Sequence, residues 1–134
     1  MGSVNNLEQE IKSSAFRVHP GRYIYAKVAS VPNINDCFAI TRDTDETTAV
    51  FEESKLAKID VIEKNKDLWK LIEFKISTPF YVVGFLSTIS KTIAAQGCNC
   101  LIVSTYSKDY LLVREDEFDR AKSALIGLGF SETT

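Results

Sequence analysis

The sequence predicts an α+β fold, a ferredoxin-like sandwich with its helices on one face of an antiparallel sheet. Two observations carry this. Residues 69–134 read as strand, helix, strand, strand, helix, a βαββα order. Residues 15–53 read as three strands with no room for the matching helices. The expected organisation is an N-terminal extension (1–14), a degenerate, strand-rich first half (15–68) and a complete second half (69–134).

Taken in order, Val4, Leu7 and Ile11 form a weak helical stripe that could pack one turn onto the core; a frayed tail is the other reading. Arg22–Val28 is aromatic and β-branched and follows the turn His19-Pro20-Gly21. Cys37–Thr41 and Thr47–Glu52 are the next strands, with the polar loop Arg42–Glu46 between them. Residues 54–68 read as a charged linker with a short strand near 59–62. Trp69–Ile76 alternates as a strand with one strongly apolar face, Ile72, Phe74 and Ile76. Thr78-Pro79 ends it. Leu86, Ile89, Ile93 and Ala94 recur at helical spacing, and Gly97 stops that helix. Cys100–Ser104 is wholly apolar, which predicts cover on both faces. Tyr110–Val113 is the return strand. Phe118, Ala121, Leu125 and Leu128 stripe a second helix, acidic at its start as the dipole favours and ended by Gly127 and Gly129. The expected core is Trp69, Leu71, Phe74, Ile89, Ile93, Leu101, Val103, Leu112, Phe118 and Leu125.

Composition limits the functions open to the chain. Its 134 residues are 45% hydrophobic and 25% charged, ample for a core. The net charge of −2 offers no basic stripe for nucleic acid. No apolar run approaches the ~18 residues that span a bilayer, and no apolar leader opens the chain. Three cysteines, an odd number, fit a reducing, cytoplasmic setting. Cys98 and Cys100 share a face of one strand, but with a single histidine, His19, a zinc set lacks ligands. The acidic residues Asp43, Asp45, Glu46, Glu52 and Glu53 lack calcium-loop spacing. No nucleophile–base pair and no phosphate-cradling glycine run is present, so neither an enzyme, a cofactor nor a metal is expected.

Two segments have binding chemistry. The helix start at Gly84, Phe85 and Leu86 leaves backbone N–H groups for a carboxylate, and Gly84 lets a ligand approach the backbone. A plain turn glycine is the alternative. Asp109, in the hairpin after Thr105 and Tyr106, suits an amino or guanidinium group. The alternative is an exposed turn former bonding its own backbone. Tyr106 could lid a pocket or stand free, and Ser104 and Thr105 could simply pair across strands.

Val83-Gly84-Phe85-Leu86 before a helix, and Gly97-Cys98-Asn99-Cys100 opening a strand, resemble an ACT regulatory domain. With His19-Pro-Gly-Arg-Tyr23, Phe38-Ala-Ile-Thr-Arg-Asp43 and Ser104-Thr-Tyr-Ser-Lys-Asp-Tyr-Leu-Leu-Val113, residues 15–130 resemble the small bacterial two-ACT proteins. These are similar in turn to the ACT modules of cytosolic arginine sensors of animal cells. The resemblance implies a tandem ACT-like fold and an amino acid effector. It places Gly84, Phe85 and Leu86 on one side of the ligand and Thr105, Tyr106 and Asp109 on the other. The first half departs from the pattern, since fewer than ten residues separate Val28 from Cys37. The expected role is a regulatory sensor acting on a protein partner. The alternative is an interaction module that dimerises through its ACT surfaces without a ligand. Either the halves pack intramolecularly or a homodimer forms.

Overall fold

The computed structural model describes residues 3–76 and 83–134. Its elements are α1 (Ser3–Lys12), β1 (Ala15–Val18), β2 (Tyr23–Ser30), β3 (Ala39–Arg42), β4 (Thr47–Glu52), β5 (Asp60–Lys64), β6 (Trp69–Lys75), α2 (Phe85–Ala95), β7 (Cys100–Ser104), β8 (Asp109–Arg114), α3 (Phe118–Leu128) and β9 (Ser131–Thr133). The expected Thr78-Pro79 stop lies outside the described residues.

The chain divides into two compact units, residues 1–19 with 71–134, and residues 20–70. The expected halves, 15–68 and 69–134, differ from these units at both cuts. Phe16 is the reason at the N-terminal side: it is fully buried beside Phe74, so β1 counts with the C-terminal part of the chain.

In the first unit the strand order is β7-β8-β6-β1-β9. β1 lies antiparallel to β6, with Phe16 opposite Phe74 and Arg17 opposite Glu73. β9 is parallel to β1, and β7 is antiparallel to β8 with Ser104 opposite Asp109. Strand alternation sorts the side chains. Phe16, Ile72, Phe74, Leu111 and Val113 face Phe85, Ile89 and Ile93 of α2 and Ala121 and Leu125 of α3 in one core. Phe85 packs edge-on against Phe74 and Phe130, with ring centroids 5.8 and 5.9 Å apart. Such aromatic contacts add to area burial. Ile11 of α1 joins this core and Leu7 packs against it, so that part of the N-terminal stripe does form a packed helix.

Several expectations change here. β6 is buried on both faces, Trp69, Leu71 and Glu73 included. β7 is not covered on both faces: it pairs with β8 alone among the described residues, and Ile102 is 43% exposed. Leu101 and Val103 are therefore only half-buried, and Phe118, at the start of α3, is half-buried too. Gly127 lies inside α3, and Gly129, at φ +128°, ends it.

The second unit is a sheet ordered β3-β4-β2-β5 with two short 3-10 turns, Ile34–Asp36 and Glu53–Lys58. β2 is its centre, paired with β4 from Tyr23–Glu52 to Val28–Thr47 and irregularly with β5. Ile24, Ala26 and Val28 point inward with Ala49, Phe51 and Ile59. The intervening side chains, Tyr25 and Lys27, point out, the two-residue period of a half-buried strand.

Candidate functional site

The hairpin joining β7 to β8 is closed by Thr105 N–H donating to the Lys108 carbonyl at 2.8 Å. Thr105 Oγ1 reaches the same carbonyl at 3.3 Å. Tyr106 stands at the tip, fully exposed. Asp109 is the opposite of the exposed turn carboxylate expected from the sequence: it is 1% exposed. It shares the sheet face of Leu111 and Val113, which pack on the helices. Ser104, directly opposite, donates its hydroxyl to Asp109 Oδ1 at 2.6 Å. Asp109 Oδ2 has no hydrogen-bond partner among the described residues. A buried polar atom without a partner costs about 1–3 kcal/mol and calls for an explanation.

On the helix side, Gly84 precedes α2 in the left-handed region, φ +87°, where glycine is favoured. Its carbonyl accepts the first helical bond, from Thr88 N–H at 2.9 Å. The N–H groups of Phe85, Leu86 and Ser87 precede that ladder. The Phe85 side chain belongs to the core, so only its backbone is available there, and Leu86 is half-buried. A Cβ on Gly84 would meet Leu7 of α1 at 3.7 Å, so α1 covers that side of the helix entry. At its other end α2 leads into β7, whose first residue, Cys100, lies opposite Val113.

A second cluster was invisible in the sequence. Glu73 is buried, and His19 Nε2 lies 2.8 Å from its Oε1. Lys108 Nζ lies 3.0 Å from Oε2 and Arg17 Nη1 3.9 Å from Oε1. Burial pushes the Glu73 carboxyl up, but hydrogen bonds and charge from His19 and Lys108 outweigh it and hold it below the usual value. The hydrogen bond to Glu73 in turn raises Lys108. The Tyr110 phenol is raised by burial first and by Glu73 second, against Lys108 and Arg17. These partners lie far apart in sequence, so no local pattern betrays them.

Burial raises the Cys100 thiol, with a smaller push from Cys98. No group of three metal-ligating side chains occurs among the described residues. No helix among them is long and apolar enough to cross a membrane.

Residues 65–126 match the family model of the ACT domain. That part of the chain is ACT-like. The fold of the chain recurs in solved structures. One is a Vibrio cholerae protein of unknown function described as a possible transport protein (TM-score 0.80, 20% identity, 96% of this chain and 99% of that one). Another is an Agrobacterium tumefaciens protein (0.67, 22% identity, 90% and 92%). A third is the ligand-free regulatory subunit of aspartate kinase from Thermus thermophilus (0.57, 10% identity, 86% and 95%). No curated protein matches the chain.

Proposed function

We propose that this ACT-like protein is a regulatory binding module, not an enzyme, whose effector is a small amino acid. The observation that carries the reading is Asp109, a carboxylate 1% exposed with one oxygen held by Ser104 and the other without a partner among the described residues. An ammonium or guanidinium group would complete it with a charge-assisted bond. The effector's own carboxylate would take the N–H groups at the start of α2, where the helix dipole favours an anion. Thr105 and Tyr106 would border the ligand from the hairpin. A small molecule held at both ends would tie the hairpin to α2, and that ordering is what a regulated protein partner in the cytoplasm would read.

The test is a thermal-shift screen of free amino acids on the intact protein. A ligand that binds only the folded state, at one hundred times its Kd, stabilises by about 2.7 kcal/mol. A raised midpoint with one amino acid or a related few supports the reading. No response to any of them overturns it.

One observation favours a second reading, an interaction module that dimerises without a ligand. Among the described residues β7 pairs on one side only, Ile102 is exposed, and open edges recruit further strands. Light scattering decides: a monomer mass at high micromolar concentration sinks the homodimer.

A further inference from the structure

Strand alternation puts Arg17, Glu73 and Tyr110 on the face of the first unit's sheet opposite Phe16, Phe74 and Leu111, and so opposite Asp109. His19 and Lys108 reach the same place from the end of the β1 segment and from the hairpin. Three basic side chains from two segments, the β1 segment and the β7–β8 hairpin, thus converge on a single carboxylate.

The hydrogen-bonding inventory is unbalanced. Glu73 is 5% exposed and both its oxygens are engaged. The donors are in excess. Arg17 comes no nearer than 3.9 Å, beyond hydrogen-bond range, so its five N–H groups make no bond to Glu73. Lys108 directs one of three donors to Glu73. His19 meets Glu73 through Nε2 only. The basic side chains are also reachable, at 36% exposure for Arg17, 22% for His19 and 49% for Lys108. Two permanent cations and an imidazole around one carboxylate leave net positive charge beside an anchored, buried centre. That is the electrostatic form of an anion site. Glu73 fixes the positions of the donors and is itself the internal anion that a ligand competes with.

We propose that Arg17, His19 and Lys108 form a binding site for a small oxyanion, a carboxylate or a phosphate group, on this face. The site is separate from the one at Asp109 and stands whether or not an amino acid binds there.

The chain has one histidine, so the imidazole Hε1 resonance of His19 reports the cluster directly. The intact protein is titrated with inorganic phosphate and, separately, with acetate, at ionic strength held constant with sodium chloride. The expected result is a saturating shift of that resonance with at least one of the two. Saturation by phosphate alone or by acetate alone names the group the site takes. Arg17→Ala and Lys108→Ala should each weaken binding ten-fold or more, the usual worth of a charge-assisted contact. Lys27→Ala, on the other unit, should not change it. Glu73→Gln, where it folds, should tighten binding several-fold by removing the competing carboxylate. No saturating shift with either anion overturns the proposal. So does equal weakening by Lys27→Ala, or undiminished binding in both Arg17→Ala and Lys108→Ala.

Discussion

Ser104→Ala removes the one hydrogen-bond partner that the described residues give to Asp109. The bond is short, 2.6 Å, and its acceptor is 1% exposed. Hydrogen bonds to charged groups contribute about 1.5–3 kcal/mol, and stripping the donor leaves both carboxyl oxygens without a partner among the described residues. Ser104→Ala alone should therefore cost about 1.5–3 kcal/mol. Asp109→Ala has two opposing effects. It loses the same bond, but it also removes the oxygen that lacks a partner among the described residues, worth about 1–3 kcal/mol. Its net cost should be near zero, within about 1 kcal/mol of the parent. In the Asp109→Ala background, Ser104→Ala should then cost less than about 0.5 kcal/mol, because an exposed alanine replaces an exposed serine with nothing left to serve. The assay is urea denaturation of the parent, the two single variants and the double variant, followed by circular dichroism. The coupling between the sites should exceed about 1 kcal/mol, as expected for residues in direct contact. Two outcomes would refute the reasoning: a Ser104→Ala cost that is the same in both backgrounds, or an Asp109→Ala loss above about 2 kcal/mol. The latter would mean that Oδ2 is well served in the folded chain.

Other predictions follow from the core and from charge. Ile93 is fully buried on the inner face of α2, so Ile93→Ala should cost about 2–5 kcal/mol in denaturant titration, the transfer of the lost carbons plus a cavity. A loss under ~1 kcal/mol would show that α2 is not packed on the sheet. Gly84→Ala should cost about 1–2 kcal/mol in the absence of ligand, since φ is +87° and strain rather than space opposes the methyl group; an unchanged midpoint would contradict that. Glu73 is held below its ordinary value of 4.5, so between the two values the unfolded chain binds more protons than the folded one. Its contribution is complete above about pH 4.5 and is lost as the pH falls through the lowered folded value. Glu73→Gln should flatten the acid side of the stability profile, and an acid limb identical to that of the parent would rule this out.

The βαββα half was legible because its elements are long and periodic. Ile89 and Ile93 at helical spacing, and Ile72 and Phe74 at strand spacing, each mark one buried face. β1 and β9, at four and three residues, are too short to show a period, and their pairing is a tertiary fact. β7 was misread because an apolar run signals burial only when both faces meet something; at the sheet edge Ile102 does not. The hairpin was recognised, but turn chemistry makes an exposed aspartate the default, and nothing local encodes that Asp109 is buried on the face it shares with Leu111 and Val113. Glu73 looked like one polar interruption in a strand. Its partner His19 is 54 residues away, and nothing local encodes that meeting.

The account's central claim is that Asp109 receives an effector. Its most direct test compares the thermal midpoints of the parent and Asp109→Ala, each with and without every amino acid of the screen. The account predicts a rise in the parent with at least one amino acid. It predicts no rise with that amino acid in Asp109→Ala, whose own ligand-free midpoint stays close to that of the parent. An amino acid that stabilises Asp109→Ala as much as the parent would move the site off this hairpin and contradict the claim.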